Sequence, residues 1–85
     1  MRLLETSKFQ KLRKKLKDEG ERNALKQAVL QVLEDPEAGK KLKGEFRDLR
    51  ALRFAVRGQA RQLIYKYDKD AVVLFSFGPR QGIYK

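Results

Sequence analysis

From Leu49 to Arg57 the chain reads Leu-Arg-Ala-Leu-Arg-Phe-Ala-Val-Arg, and this alternation admits one kind of element. In an extended strand successive side chains point to opposite faces. Leu52, Phe54 and Val56 therefore fall on one side, and Arg53, Ala55 and Arg57 on the other. The apolar side demands a covering layer, which leaves the arginine side presented to water. The strand sits in a wider basic region, since between Lys40 and Arg61 eight residues are basic and two acidic. A shallow cationic sheet face of this kind suits a phosphate backbone.

The strand pattern continues over residues 61–68 and 71–77, with Gly58 and Asp68-Lys-Asp70 as the turns between them. Ala71–Phe77 is apolar on both faces apart from Ser76, which marks it as the most buried strand. Gly78-Pro79 interrupts it before a short tail. Upstream the period becomes helical. Phe9, Leu12 and Leu16 form one stripe, and the capping-box spacing of Ser7 and Gln10 predicts a helix from near Lys8, with Gly20 as its stop. Its other face carries Lys8, Lys11, Arg13, Lys14, Lys15 and Lys17, a set that fits either a solvated surface or contact with a polyanion. Leu25, Ala28, Val29, Val32 and Leu33 predict a second helix over 21–34, ended by Pro36. Residues 37–48 read as a loop that delivers Lys40, Lys41 and Lys43 to the sheet, and Met1–Leu4 as a short first strand. The expected architecture is α+β in two layers, a single domain over residues 1–85. An N-terminal helical hairpin packs on one face of a small twisted antiparallel sheet and leaves the other face concave and open.

Eighty-five residues support one core and exclude a second catalytic domain. With 21 Lys and Arg against 11 Asp and Glu, the formal charge is +10, a field that draws in polyanions. No apolar run approaches the roughly 20 residues needed to span a bilayer. The first residues also lack the apolar stretch of a signal peptide, so the expectation is a cytoplasmic protein with no membrane partner. The chain has no cysteine and no histidine. Disulfides, thiolate nucleophiles, imidazole bases and the usual zinc ligands are thereby removed, and no metal or cofactor is expected. Its glycines are scattered singly, without the spacing of a phosphate-binding loop. Any catalysis rests on Arg, Lys, Tyr or carboxylates.

Several short motifs, in order, resemble the RelE/ParE superfamily of bacterial toxins from toxin–antitoxin pairs. Leu42-Lys-Gly44 resembles the family's turn before the sheet, and Leu52-Arg-Phe54 and Leu63-Ile-Tyr65 resemble its hairpin strands. Gly78-Pro-Arg-Gln-Gly-Ile-Tyr84 is similar to its closing Gly-His-Arg-x-x-Val-Tyr, with Pro79 where many relatives have histidine. Ser7-Lys-Phe9 and the helix pair fit its beginning. Measured back from Tyr65, the family's arginine falls on Gln62, whereas the nearest arginine is Arg61; on a strand that slip changes face. Either a bulge near Gly58 restores Arg61 to the working face, or the role has moved to Arg57 or Arg53.

On the RelE branch the resemblance implies a metal-independent endoribonuclease that cuts messenger RNA in the ribosomal decoding site, with a cognate antitoxin as its protein partner. Arg53, Arg61 and Arg80 are the candidates for stabilising the phosphorane, since a guanidinium is planar and bidentate toward phosphate. Arginine is a poor proton donor, its pKa lying above about 12. Tyr84, Lys43 or a carboxylate would supply the acid or base, and Tyr84 fits equally a cover for the core edge or a platform for a base. Lys40, Lys41, Lys43 and Arg57 are the candidates for binding RNA, the lysines fitting a solvated loop as well. Tyr65 and Tyr67 are expected in the core, with one hydroxyl reaching water. Two other readings stand beside this one, a ParE-like poison of DNA gyrase and a non-catalytic RNA- or ribosome-binding module.

Overall fold

The computed structural model describes residues 2–79. Five strands form one sheet in the order β1-β5-β4-β3-β2, where β1 is Arg2–Glu5, β2 Lys40–Lys41, β3 Arg50–Val56, β4 Gln59–Tyr67 and β5 Ala71–Gly78. Helices α1 (Ser7–Lys15) and α2 (Glu19–Glu34) connect β1 to the rest. β2 to β5 pair antiparallel as expected, but β1 runs parallel to β5, with Arg2 opposite Ala71 and Glu5 opposite Leu74, so the sheet is mixed. A parallel neighbour requires a crossover, and the helical hairpin with the first half of the chain provides it.

Both helices pack on the face that carries Leu52, Leu63, Tyr65, Val72 and Leu74. Phe9, Leu25, Ala28 and Val32 close the core from the helical side. Phe9 meets Phe77 edge to face at 5.2 Å between ring centroids, a favoured aromatic geometry. The helix boundaries differ from the sequence expectation in two places. Thr6, not Ser7, caps α1, its hydroxyl accepting from the Phe9 amide at 3.1 Å. Gly20 stops no helix: α1 ends at Lys15, and Asp18 caps α2 by accepting from the Glu21 amide at 2.9 Å. Asp at an N-cap satisfies an orphan donor and complements the helix dipole, a stronger local signal than one glycine.

The second face is less bare than its pattern suggests. Ala51 and Ile64 are buried there under Leu42, Leu49 and Phe75, so the segment 42–49, with one short 3-10 turn at Gly44–Phe46, folds over one end of it. Phe75 is the extra residue of a bulge, because Ile64 pairs with Ser76 and Tyr65 with Leu74. The bulge lets Phe75 join the Ile64 cluster while Leu74 and Phe77 remain with the helices.

Candidate nucleic-acid interface

The register of the β3–β4 hairpin decides which cations share a face. Its turn has two residues, Arg57 at φ 52° and Gly58 at φ 80°, the left-handed pair of a type I′ turn. Val56 therefore pairs with Gln59, Phe54 with Arg61 and Arg53 with Gln62. Arg61 shares the helix-side register with Phe54, and Gln62 shares the open face with Arg53. No bulge near Gly58 reverses this, since the β3–β4 pairing is regular throughout.

The structure thus separates the sequence candidates. Arg53 stands exposed on the open face. Arg61 lies 3.8 Å from Glu21 at the start of α2 and donates to Gln59 Oε1 at 3.1 Å, away from Arg53. Arg57 is in the turn rather than the strand, and its guanidinium donates to Asp18 Oδ1 at 2.7 Å. That contact raises the Arg57 pKa and, together with the Glu21 amide, holds the Asp18 carboxyl below its usual range. Two of the four arginine candidates are therefore engaged by acidic groups at the N-terminal end of α2, where a register of strict alternation from Leu49 had placed Arg57 beside Arg53. Arg80 and Tyr84 lie outside the described residues.

Lys40, Lys41 and Lys43 come together with Arg53. With Ala38, Leu42, Ala51, Leu52 and Gln62 they line a cleft of about 620 Å³ between β2, the following loop and the open face. Among the described residues that line it, four side chains are cationic and none is acidic. Gln62 is 6% exposed, and its Oε1 is buried without a hydrogen-bond partner among the described residues.

Tyr65 positions the rim of this cleft. Its ring is fully buried and its hydroxyl does not reach water: it donates to Pro36 O at 2.6 Å and accepts from the Gly39 amide at 2.8 Å. Burial pushes the phenol pKa up, the Gly39 amide opposing the shift. The approach leaves no room for a side chain, since a Cβ at Gly39 would lie 2.5 Å from the Tyr65 oxygen. Arg50 adds a second tie, donating to Gly39 O at 2.9 Å and lying 5.3 Å over the Tyr67 ring. These bonds hold residues 36–39 and hence the entry into Lys40–Lys41. Arg50 and the Tyr65 hydroxyl escaped the sequence reading because their partners are backbone atoms, which leave no trace in residue pattern. Gln62 had a signal, its three-residue spacing before Tyr65.

Residues 3–85 match the model of the ParE-like toxins of type II bacterial toxin–antitoxin systems. The chain belongs to that family. The solved structures agree on the branch. A chain of the intact E. coli RelBE toxin–antitoxin complex superposes with a TM-score of 0.73 at 27% identity, over 95% of this chain and 98% of that one. The isolated E. coli RelE toxin in its P21 form gives 0.73 at 28% identity, over 95% of this chain and 85% of that one. The solution structure of the conserved hypothetical protein HP0894 of Helicobacter pylori shares the fold, with a TM-score of 0.54 at 22% identity over 94% of each chain. No curated protein matches the chain in sequence. This toxin has the RelE-like arrangement of two helices on a five-stranded mixed sheet. No described helix of it is long and apolar enough to cross a membrane.

Proposed function

We propose that this toxin is a ribosome-dependent endoribonuclease that cleaves messenger RNA in the decoding site and so stops translation. The observation that carries the reading is the cleft whose described charged lining is cationic only, with Lys40, Lys41, Lys43 and Arg53 around it. A flexible phosphodiester backbone is the ligand such a groove attracts, and RNA brings its own nucleophile. The 2′-oxygen attacks the adjacent phosphorus, the bond to the 5′-oxygen breaks, and a 2′,3′-cyclic phosphate and a 5′-hydroxyl remain. The 2′-hydroxyl proton leaves to a base and the departing 5′-oxygen gains one from an acid. Alignment and charge stabilisation are the protein's main contributions to such a step. Arg53 and Arg80 are assigned to the phosphorane oxygens, with Lys43 or Tyr84 moving protons. Arg61 and Arg57, engaged by Glu21 and Asp18, are set apart from that role.

The toxin acts within a pair. A groove of about 970 Å³ runs between α1, α2 and β1, with Leu3, Val29 and Leu30 along it; Arg22 and Lys26 stand at its rim with Glu19, and Arg13 there is paired with Glu5. Apolar surface with a mainly cationic rim fits an amphipathic segment with acidic flanks, and the RelBE neighbour is a toxin in complex with its antitoxin. A cognate antitoxin is therefore proposed as the occupant, in the cytoplasm.

The test is primer extension on a defined message in a reconstituted translation reaction, with wild type, Arg53→Ala, Arg80→Ala and a no-ribosome control. New ends within decoding-site codons that need ribosomes, and that fall by about 10²–10³-fold in Arg53→Ala with its fold intact, support the reading. Intact RNA at micromolar toxin sinks it, and DNA breaks in a gyrase cleavage assay would then identify the ParE-like activity.

A further inference from the structure

We propose that Gln62 reads a nucleobase: its side-chain amide binds the edge of one RNA base while the cations around it hold the neighbouring phosphates. The inference rests on the RNA reading above and adds a source of sequence preference to it.

Three observations meet at this residue. Gln62 stands in the middle of β4 on the open face, with Arg53 opposite on β3 and Gly78, which brings no side chain, opposite on β5. It is 6% exposed, and its Oε1 is buried without a hydrogen-bond partner among the described residues. It also lines the cationic cleft.

A buried acceptor without a donor is unfavourable and uncommon, and neither hydrophobic cluster of the fold needs a polar group at this position. Leucine or methionine would fill the site without an orphan atom. What an amide adds is hydrogen-bonding capacity toward the cleft. Every other polar side chain in the described lining is a lysine or arginine, which donates and cannot accept. The cations can hold phosphate oxygens, but a base amino group has one side-chain acceptor to find there, the oxygen of Gln62.

The terminal torsion of glutamine is soft, so the amide turns to present its oxygen and nitrogen side by side. A donor beside an acceptor is the complement of an adenine edge, where the amino group lies next to a ring nitrogen. A single-stranded base that has left its stack exposes that edge fully. Unpaired cytosine offers the same pair on one edge and adenine on two, so adenine is the base this site favours, with Lys43 and Arg53 on the flanking phosphates.

The test is fluorescence anisotropy of the intact toxin with short labelled RNAs of equal length: oligoadenylate, oligocytidylate, oligouridylate and an abasic backbone. Wild type is expected to bind oligoadenylate on the order of tenfold more tightly than the abasic strand, the discrimination one bidentate amide contact gives. Gln62→Leu should bind all four strands alike, while its melting temperature equals or exceeds that of wild type because the orphan acceptor is gone. Lys43→Ala should weaken all four together and keep the ratio. A flat profile in wild type, an unchanged ratio in Gln62→Leu, or no binding of any strand overturns the inference. The two readings separate cleanly. A preserved base ratio with no RNA cut in the translation reaction removes the nuclease and leaves Gln62 as a reader. Cleaved messages with the same ratio in Gln62→Leu as in wild type keep the nuclease and remove the reader.

Discussion

The two faces of β4 belong to one strand and yet differ in almost every property. Leu63 and Tyr65 look toward the helices, where a continuous cluster from both helices and three strands surrounds them. Gln62 and Ile64 look the other way, onto a small patch and a cationic cleft. The first face satisfies itself: apolar contacts are closed and the Tyr65 hydroxyl has both a donor and an acceptor. Among the described residues, the second leaves an acceptor without a partner and gathers positive charge in a cleft lined by no carboxylate. The packed face resolves its hydrogen bonds and charges, whereas the face proposed to receive RNA keeps them open, the kind of stability cost that function can impose.

The sharpest way to break this contrast is to shorten adjacent side chains that point in opposite directions. Leu63→Ala removes a fully buried residue from the main cluster, and a loss of about 3 kcal/mol is expected in denaturant unfolding. Ile64→Ala, also buried, should fall at the low end of that range, about 2 kcal/mol, because its cluster is small. It should also reduce RNA affinity, since Ile64 supports Leu42 and Leu49, which flank the segment carrying Lys43. Equal stability losses with no change in affinity would erase the distinction between the faces.

A smaller effect sharpens the comparison at the join between the two faces. Tyr65→Phe leaves the Gly39 amide and the Pro36 carbonyl without their shared partner, and should lower stability by about 1–3 kcal/mol. The phenol also carries a pH signature. Its folded pKa lies above its ordinary value of 10.0, so the neutral form is the one the fold favours. The resulting stability is fully present below about pH 10 and is lost as pH rises through the folded pKa. Melting temperatures of wild type should therefore drop above that pH more steeply than those of Tyr65→Phe; parallel curves would count against the buried hydroxyl as the cause.

The smallest effect is predicted at the hairpin tip. Arg57→Ala removes an exposed pair with Asp18, and neither melting temperature nor RNA affinity should change measurably, in contrast to Arg53→Ala four residues earlier. A loss of affinity comparable to that of Arg53→Ala would place the turn within the binding surface after all.

Much of this contrast was legible in the residues, and the part that was not has a specific cause. Alternation from Leu49 to Val56 identified the buried and presented faces of β3, and helical spacing identified the core residues of α2. Both are periodic signals within one element. Which of Arg61 and Gln62 joins Arg53 depends instead on the number of residues in the turn. A two-residue turn needs a left-handed conformation at Arg57, which favours glycine or asparagine, so the sequence argued against the turn that forms. The parallel pairing of β1 with β5 was illegible for a related reason: partners almost seventy positions apart share no local pattern. The open face reads as uncovered because residues 37–48 have no period, although Leu42 among them and Leu49 just beyond pack on Ala51 and Ile64.

That long-range pairing has a consequence for how the toxin comes into being. Arg2 donates to Asp70 O at 2.7 Å, Thr6 donates through its amide to Leu74 O at 3.0 Å and through its hydroxyl to Phe75 O at 3.2 Å, so the opening strand and the first helix are tied to β5. Phe77 of β5 also packs against Phe9. During synthesis none of these ties can form until β5 has left the exit tunnel, by which time β1, α1 and the β3–β4 hairpin have waited without the strand that joins them. A nascent chain interrupted before Ala71 has no site for its own beginning to dock, and the same delay gives a partner protein its first opportunity to meet the toxin before the sheet is closed.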